Sequence, residues 1–180
     1  MLKIATATLL TLAITPIGAR AAPAPAALLG KSIVLTWSET RQQRRLGDQN
    51  FQSVNAGHNL SMYISTAGRV FVRQTIRTGL GTGSGDQVSG SPQSQVVPSF
   101  AGQTMTLASP FRSGGMRRHV TTFDAAFNAC TATVAFVKDV GRETAITGSL
   151  IDRQHLFEMQ SIAVTNVTCA VQNGNVFAGQ

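Results

Sequence analysis

The stretch STAGRVFVRQTIR, residues 65–77, carries Arg69, Arg73 and Arg77 at every fourth position of an otherwise largely apolar run. A spacing of four puts them on one side of a helix and equally on one face of a strand, so the arginines alone do not decide the fold. Their neighbours do. Val70, Val72 and Ile76 fall opposite the arginines, and their β-branched side chains favour extended backbone. Just before, in NLSMYIS, Leu60, Met62 and Ile64 alternate with Ser61, Tyr63 and Ser65, the clearest period of two in the chain. Thr66, Ala67 and Gly68 separate the two runs, with Gly68 suited to the left-handed position of a tight loop. The pattern predicts a β-hairpin. Its second strand shows Arg69, Phe71, Arg73, Thr75 and Arg77 on one face, with the guanidinium groups about 13 Å apart at the rise of a strand.

The same period of two recurs elsewhere. Residues 32–41, SIVLTWSETR, set Ile33, Leu35 and Trp37 against Val34, Thr36 and Ser38, and the polar run RQQRRLGDQN is expected to end that strand. Further short strands are expected in TMTLAS, RRHVTTFD, CTATVAFVKD, TAITGSLI, HLFEMQSIAV and NVTCAVQNGNVF, several of them separated by turn residues. Seven to nine short strands of this kind predict an all-β fold, an antiparallel barrel or sandwich. The alternative is α+β, with SLIDRQHLFEMQSI at about 150–162 as a helix. Residues 78–103, rich in Gly, Ser and Gln, are expected to form a long loop, because they offer little apolar surface to bury.

The amino terminus bounds the destination of the chain. Lys3 precedes an apolar run from Ile4 to Ile17, shorter than the roughly 20 residues of a membrane span, and small residues follow. This is an export signal over residues 1–21, cleaved after Ala21 or, at a second candidate site, after Ala26. A short Ala/Pro-rich leader at 22–30 would then precede a single domain over 31–180, of a length that supports a real core. Cys130 and Cys169 are the only cysteines. In an exported chain they most simply form one disulfide, and their separation fits no zinc site. The expected destination is the periplasm or the extracellular space.

The formal net charge is +7, and beyond the leader it is carried almost wholly by arginine. The strand stripe Arg69, Arg73 and Arg77 with Phe71 interleaved, together with Arg117 and Arg118, forms the candidate anion-binding set; Arg41, Arg44 and Arg45 make another basic cluster. The planar guanidinium fork pairs with phosphate, sulfate or carboxylate, and an aromatic ring adds stacking. The competing account is that these arginines pair with Glu39, Asp124, Glu143 and Glu158 across strands or guard a sheet edge.

Other chemistries leave weaker marks. Gly79, Gly81, Gly83 and Gly85 lack the i, i+2, i+5 spacing of a dinucleotide fingerprint and any following Walker lysine. A nucleophile elbow is absent, and His119 and Asp124 have opposite strand parity, which disfavours a triad drawn from His119, Asp124 or Asp152. Asp152, His155 and Glu158 would share an arc only on a helix; His58 looks like a loop residue. No metal or cofactor is expected.

GKSIVLTWSETR, YISTAGRVFVRQ, FDAAFNACTA and TCAVQNGNVF together resemble small exported proteins of alphaproteobacteria, a likeness that brings no activity, ligand or site with it. The function expected from the residues is a non-catalytic exported β-domain that binds an anionic envelope or extracellular polymer. The alternatives are a barrel-type carrier holding a small hydrophobic ligand around Trp37 and Phe71, and, less favoured, a hydrolase.

Overall fold

The hairpin forms as its residues dictate. In the computed structural model, which describes residues 23–79, 81–88, 98–110, 116–137, 150–152 and 157–178, strands β2 (Gln52–Ile64) and β3 (Val70–Thr78) pair antiparallel with Tyr63 opposite Phe71 and Ser61 opposite Arg73. Ser65 closes the loop by donating its N–H to the Arg69 carbonyl and accepting that of Gly68 (2.8 and 2.9 Å), and Gly68 takes φ +76°. Only glycine adopts that angle without a Cβ penalty.

The hairpin lies in a six-stranded sheet. Strand β1 (Lys31–Arg45) pairs with β2 on one side and with β10 (Phe157–Asn173) on the other; β4 (Gly81–Val88) and β9 (Leu150–Asp152) are its edges. The second sheet holds β5 (Ser99–Ala101), β6 (Thr104–Pro110), β7 (Met116–Phe123) and β8 (Cys130–Val137), in chain order. All ladders are antiparallel. Both sheets are open, so the all-β fold is a sandwich and not a closed barrel.

Alternation decides what fills the space between the sheets. Ile33 and Leu35 from β1, Leu60, Met62 and Ile64 from β2, Val70 and Val72 from β3 meet Met105, Leu107, Phe123 and Val134 from the second sheet. Burying side chains of this size contributes on the order of 2 kcal/mol each. The two sheets are further joined by the Cys130–Cys169 disulfide, from β8 to β10, and by Lys31, whose Nζ donates to the Phe127 carbonyl (3.0 Å) and Asn128 Oδ1 (2.8 Å).

Several expectations change. Among the described residues ten strands form, more than the seven to nine anticipated, because the glycine-rich segment supplies β4 and β5. Strand pairing satisfies the backbone there without needing apolar side chains. Residues 150–152 and 157–162 are strand, which removes the helical alternative at those positions. The polar run after Glu39 does not stop β1, which continues to Arg45 because β2 and β10 pair with it on both sides. The segment taken for a leader carries a 3₁₀ turn, Ala26–Leu28, and Leu28 is wholly buried in the core. Residues 1–21, expected to be an export signal, lie outside the described residues.

The disulfide bridges 39 residues of sequence. Reduction, or Cys169→Ala with Cys130→Ala, is expected to lower the free energy of unfolding by about 4 kcal/mol, from the chain entropy of a loop of that size. Urea denaturation with and without reductant measures it; an unchanged midpoint would show that the core alone holds the sheets together.

Candidate functional site

Two places concentrate polar chemistry, one between the sheets and one outside them. Both follow from the parity of β1 and β2. Trp37, Glu39 and Arg41 continue the inward row begun by Ile33 and Leu35, and His58 continues that of Ile64, Met62 and Leu60. From the opposite sheet, β7 sends Arg117, His119, Thr121 and Phe123 inward. The core therefore turns from apolar to charged toward one end.

Glu39, 1% exposed, is the centre of that end. Its Oε1 accepts from Trp37 Nε1 (2.8 Å) and lies 3.1 Å from the Arg117 guanidinium; its Oε2 accepts from Arg41 Nε and Nη2 (2.9 and 2.6 Å). His58 Nε2 stands 3.0 Å from the same oxygen. The His58 ring stacks on Trp37 at 4.8 Å with a 4° interplanar angle, and His119 meets the indole at 4.9 Å, tilted 58°. The Arg117 guanidinium also lies 5.7 Å from the Trp37 ring and 5.2 Å from that of Phe136.

Burial and charge together set the protonation states. Burial is the largest single effect on Glu39 and would raise its pKa, but His58, Arg117 and Arg41 together hold it well below the usual carboxylate range. Burial pushes His58 down from its ordinary 6.5, partly offset by the Glu39 carboxylate. It pushes His119 down to about 3, helped by the Arg117 charge. Burial likewise lowers Arg117, opposed by Glu39. At neutral pH the centre is one carboxylate, two guanidinium groups and two neutral imidazoles. Glu39 is paired with Trp37, Arg41 and Arg117, and because Arg117 comes from the opposite sheet the centre braces the two sheets.

The outer face of the six-stranded sheet has the opposite character. Phe71, Arg73, Thr75 and Arg77 lie there, across the strand from the buried Val70 and Val72. Arg69, in the loop before β3, is exposed, and its guanidinium lies 5.7 Å from the Phe71 ring, which stacks with Tyr63 at 6.2 Å. Arg73 lies 5.0 Å from the Phe177 ring and is in register with Asp86 of β4. Arg77 is exposed and stands at one end of a trough of about 540 Å³ that crosses β3, β2, β1 and β10. Its lining also includes Thr75, Gly57, Asn59, Thr36, Ser38, Asn166 and Thr168, with Trp37 and His58 between them.

The sequence-derived set thus divides. Arg69, Phe71, Arg73 and Arg77 share a face. Arg117 does not join them, because it is 5% exposed and committed to Glu39, and Arg118 lies on the other face of β7. The chain matches no family model, curated protein or solved structure. Trp37 and Phe71, expected to enclose one hydrophobic ligand, sit on opposite faces of the sheet, so no single cavity takes both. Asp124 uses its Oδ1 to cap a turn, accepting from the Asn128 and Ala129 N–H groups (2.7 and 3.2 Å), which leaves His119 without that triad partner. Glu158 pairs with Arg44 (2.7 Å) and Asp152 ends β9; Arg112, Glu143 and His155 lie outside the described residues. Among the described residues no group of three or more His, Cys, Asp or Glu could hold a metal ion.

His58 is no loop residue but lies within β2, and Glu39, expected to pair with arginines across strands, pairs with Arg41 of its own strand and Arg117 of the opposite sheet. Both were accessible to parity: one step beyond Trp37 on β1 puts Glu39 inside, and one step before Leu60 on β2 puts His58 inside.

Two outcomes follow for the buried centre. Glu39→Gln leaves Arg41 and Arg117 without their carboxylate and is expected to cost about 3–5 kcal/mol of stability, read from denaturant curves; a loss under about 1 kcal/mol would mean the cluster is not what braces the sheets. His119, His58 and Glu39 all have folded pKa values below their ordinary ones, so the unfolded chain binds protons first on acidification. Stability is then full above about pH 6.5 and falls as pH drops toward 3, the window His119 spans. A melting temperature lower at pH 4 than at pH 7, with a smaller drop in His119→Leu, is the expected result.

Proposed function

We propose that the chain is an exported, non-catalytic binding module that holds anionic polymers on the outer face of its six-stranded sheet. The observation that carries this reading is the placement of Arg73 and Arg77 with Phe71 and Thr75 on one side of β3, while the valines of the same strand fill the core. Substituting such arginines changes surface charge without opening a cavity, the arrangement expected of a recognition surface built on a rigid scaffold. Arg69 extends the stripe from the hairpin loop. A row of guanidinium forks along a strand matches repeated acidic groups of a polymer better than a single small anion.

Export is supported by the amino-terminal sequence and by the disulfide, which is stable in oxidising compartments. No helix among the described residues is long and apolar enough to cross a membrane. Envelope lipopolysaccharide and acidic extracellular polysaccharides are the polymers of fitting chemistry in such a compartment.

The test is a titration of the mature chain with lipopolysaccharide and with an acidic polysaccharide at increasing salt. Affinity is expected to fall steadily from roughly 0.05 to 0.5 M salt as screening shortens the reach of the arginines. Arg73→Glu and Arg77→Glu should each weaken binding about tenfold, the equivalent of about 1.4 kcal/mol, with the melting temperature little changed. Absence of binding, or affinity indifferent to salt, would overturn the proposal.

A further inference from the structure

The trough and the arginine stripe run in different directions, and their crossing points to the class of polymer. The stripe follows β3; the trough crosses β3, β2, β1 and β10, three strand spacings or about 14 Å. They meet at Thr75 and Arg77. At about 540 Å³ the trough falls within the range of sites that enclose small organic ligands, roughly 300–1,000 Å³.

Its lining is unlike the stripe. Among the described residues that line it, Arg77 is the only charged one; hydroxyl and amide side chains supply most of the rest. Thr36 and Thr168 share one hydrogen bond between their Oγ1 atoms (2.6 Å), so one of the two hydroxyl hydrogens stays available to a ligand. Ser61 donates to Asn59 Oδ1 (2.8 Å), which occupies the carbonyl end of that amide and leaves its N–H donors for another acceptor. Asn166 is present through a bulge. Opposite Trp37 the ladder jumps from Thr36–Thr168 to Ser38–Thr165, and Asn166 takes φ +54° there. Such bulges re-aim a side chain and occur beside binding sites.

A polyphosphate or heavily sulfated chain carries a charge on every unit and would need a cation for each. One guanidinium among neutral donors and acceptors instead suits a ligand with many hydroxyl groups and few charges. We infer that the trough is a reading site for acidic polysaccharide, holding a short run of sugar units across the strands with one carboxylate on the Arg77 fork and hydroxyls on Asn59, Asn166, Thr75 and the Thr36–Thr168 pair. This rests on the anionic-polymer reading above and narrows it to hexuronate-bearing glycan.

Calorimetric titration of the mature chain with three probes separates the two claims: an oligomer of galacturonate, its neutral galactose counterpart, and polyphosphate. Asn59→Ala and Asn166→Gly are the informative variants; glycine keeps the positive φ at 166 without strain, so this variant remains usable if Asn59→Ala does not fold. The galacturonate oligomer is expected to bind more tightly than either other probe. Each asparagine variant should weaken it by roughly fivefold to tenfold, the scale of one hydrogen bond, with its salt dependence unchanged. Arg77→Gln should remove the preference for the acidic over the neutral sugar. If polyphosphate and galacturonate bind equally, depend on Arg73 and Arg77, and ignore both asparagine variants, the trough reading falls while the polymer-binding reading stands. Equal affinity for the neutral oligomer also overturns the inference, and binding of none of the acidic probes overturns both.

Discussion

The structure depends on a carboxylate held between two sheets. Glu39 gathers Trp37 and Arg41 from its own strand, His58 from the neighbouring one and Arg117 from the opposite sheet. A buried ion pair is seldom a net gain over a well-packed apolar core, because removing charges from water offsets much of their attraction. What it supplies instead is selectivity. An apolar end of the core would tolerate sliding of one sheet over the other, whereas a guanidinium opposite a carboxylate accepts a single alignment. The disulfide and the Lys31 contacts fix the sandwich elsewhere, so both regions are held.

That alignment has a counterpart outside. Every residue inward on β1, β2 or β3 has a neighbour outward, and the inward sequence therefore determines which outward side chains stand side by side. With Trp37 paired to His58 in the core, Thr36 falls beside Asn59 and Ser38 beside Gly57. The arginine stripe and the polar trough are thus positioned by the same register that packs the hydrophobic layer. A one-residue slip would exchange the two faces completely.

The hairpin, the all-β class and the disulfide were legible in the sequence, because each rests on a simple pattern: valines opposite arginines, Gly68 at a turn, and two cysteines whose separation fits no zinc site. The charged centre was not, because a glutamate and two histidines are usually surface or loop residues, and composition outweighs parity unless the alternation is followed past its last apolar member. Arg117 misled for the opposite reason. Adjacent to Arg118 in sequence, it looked like half of a basic patch, yet neighbours on a strand face opposite ways. The glycine-rich segment misled because strand formation there is driven by backbone pairing, of β4 to β3 and of β5 to β6, which a reading of side chains does not see.

The composition of β4 also governs what the domain does not do. It is the outermost strand beside the arginine-bearing one, and its sequence, GTGSGDQV, is dominated by glycine and small polar residues. Terminal strands offer free backbone groups on which further chains could nucleate, and a run with little intrinsic liking for extended structure is a poor template for such growth. On its β4 side, the six-stranded sheet therefore offers a weak template for a further strand.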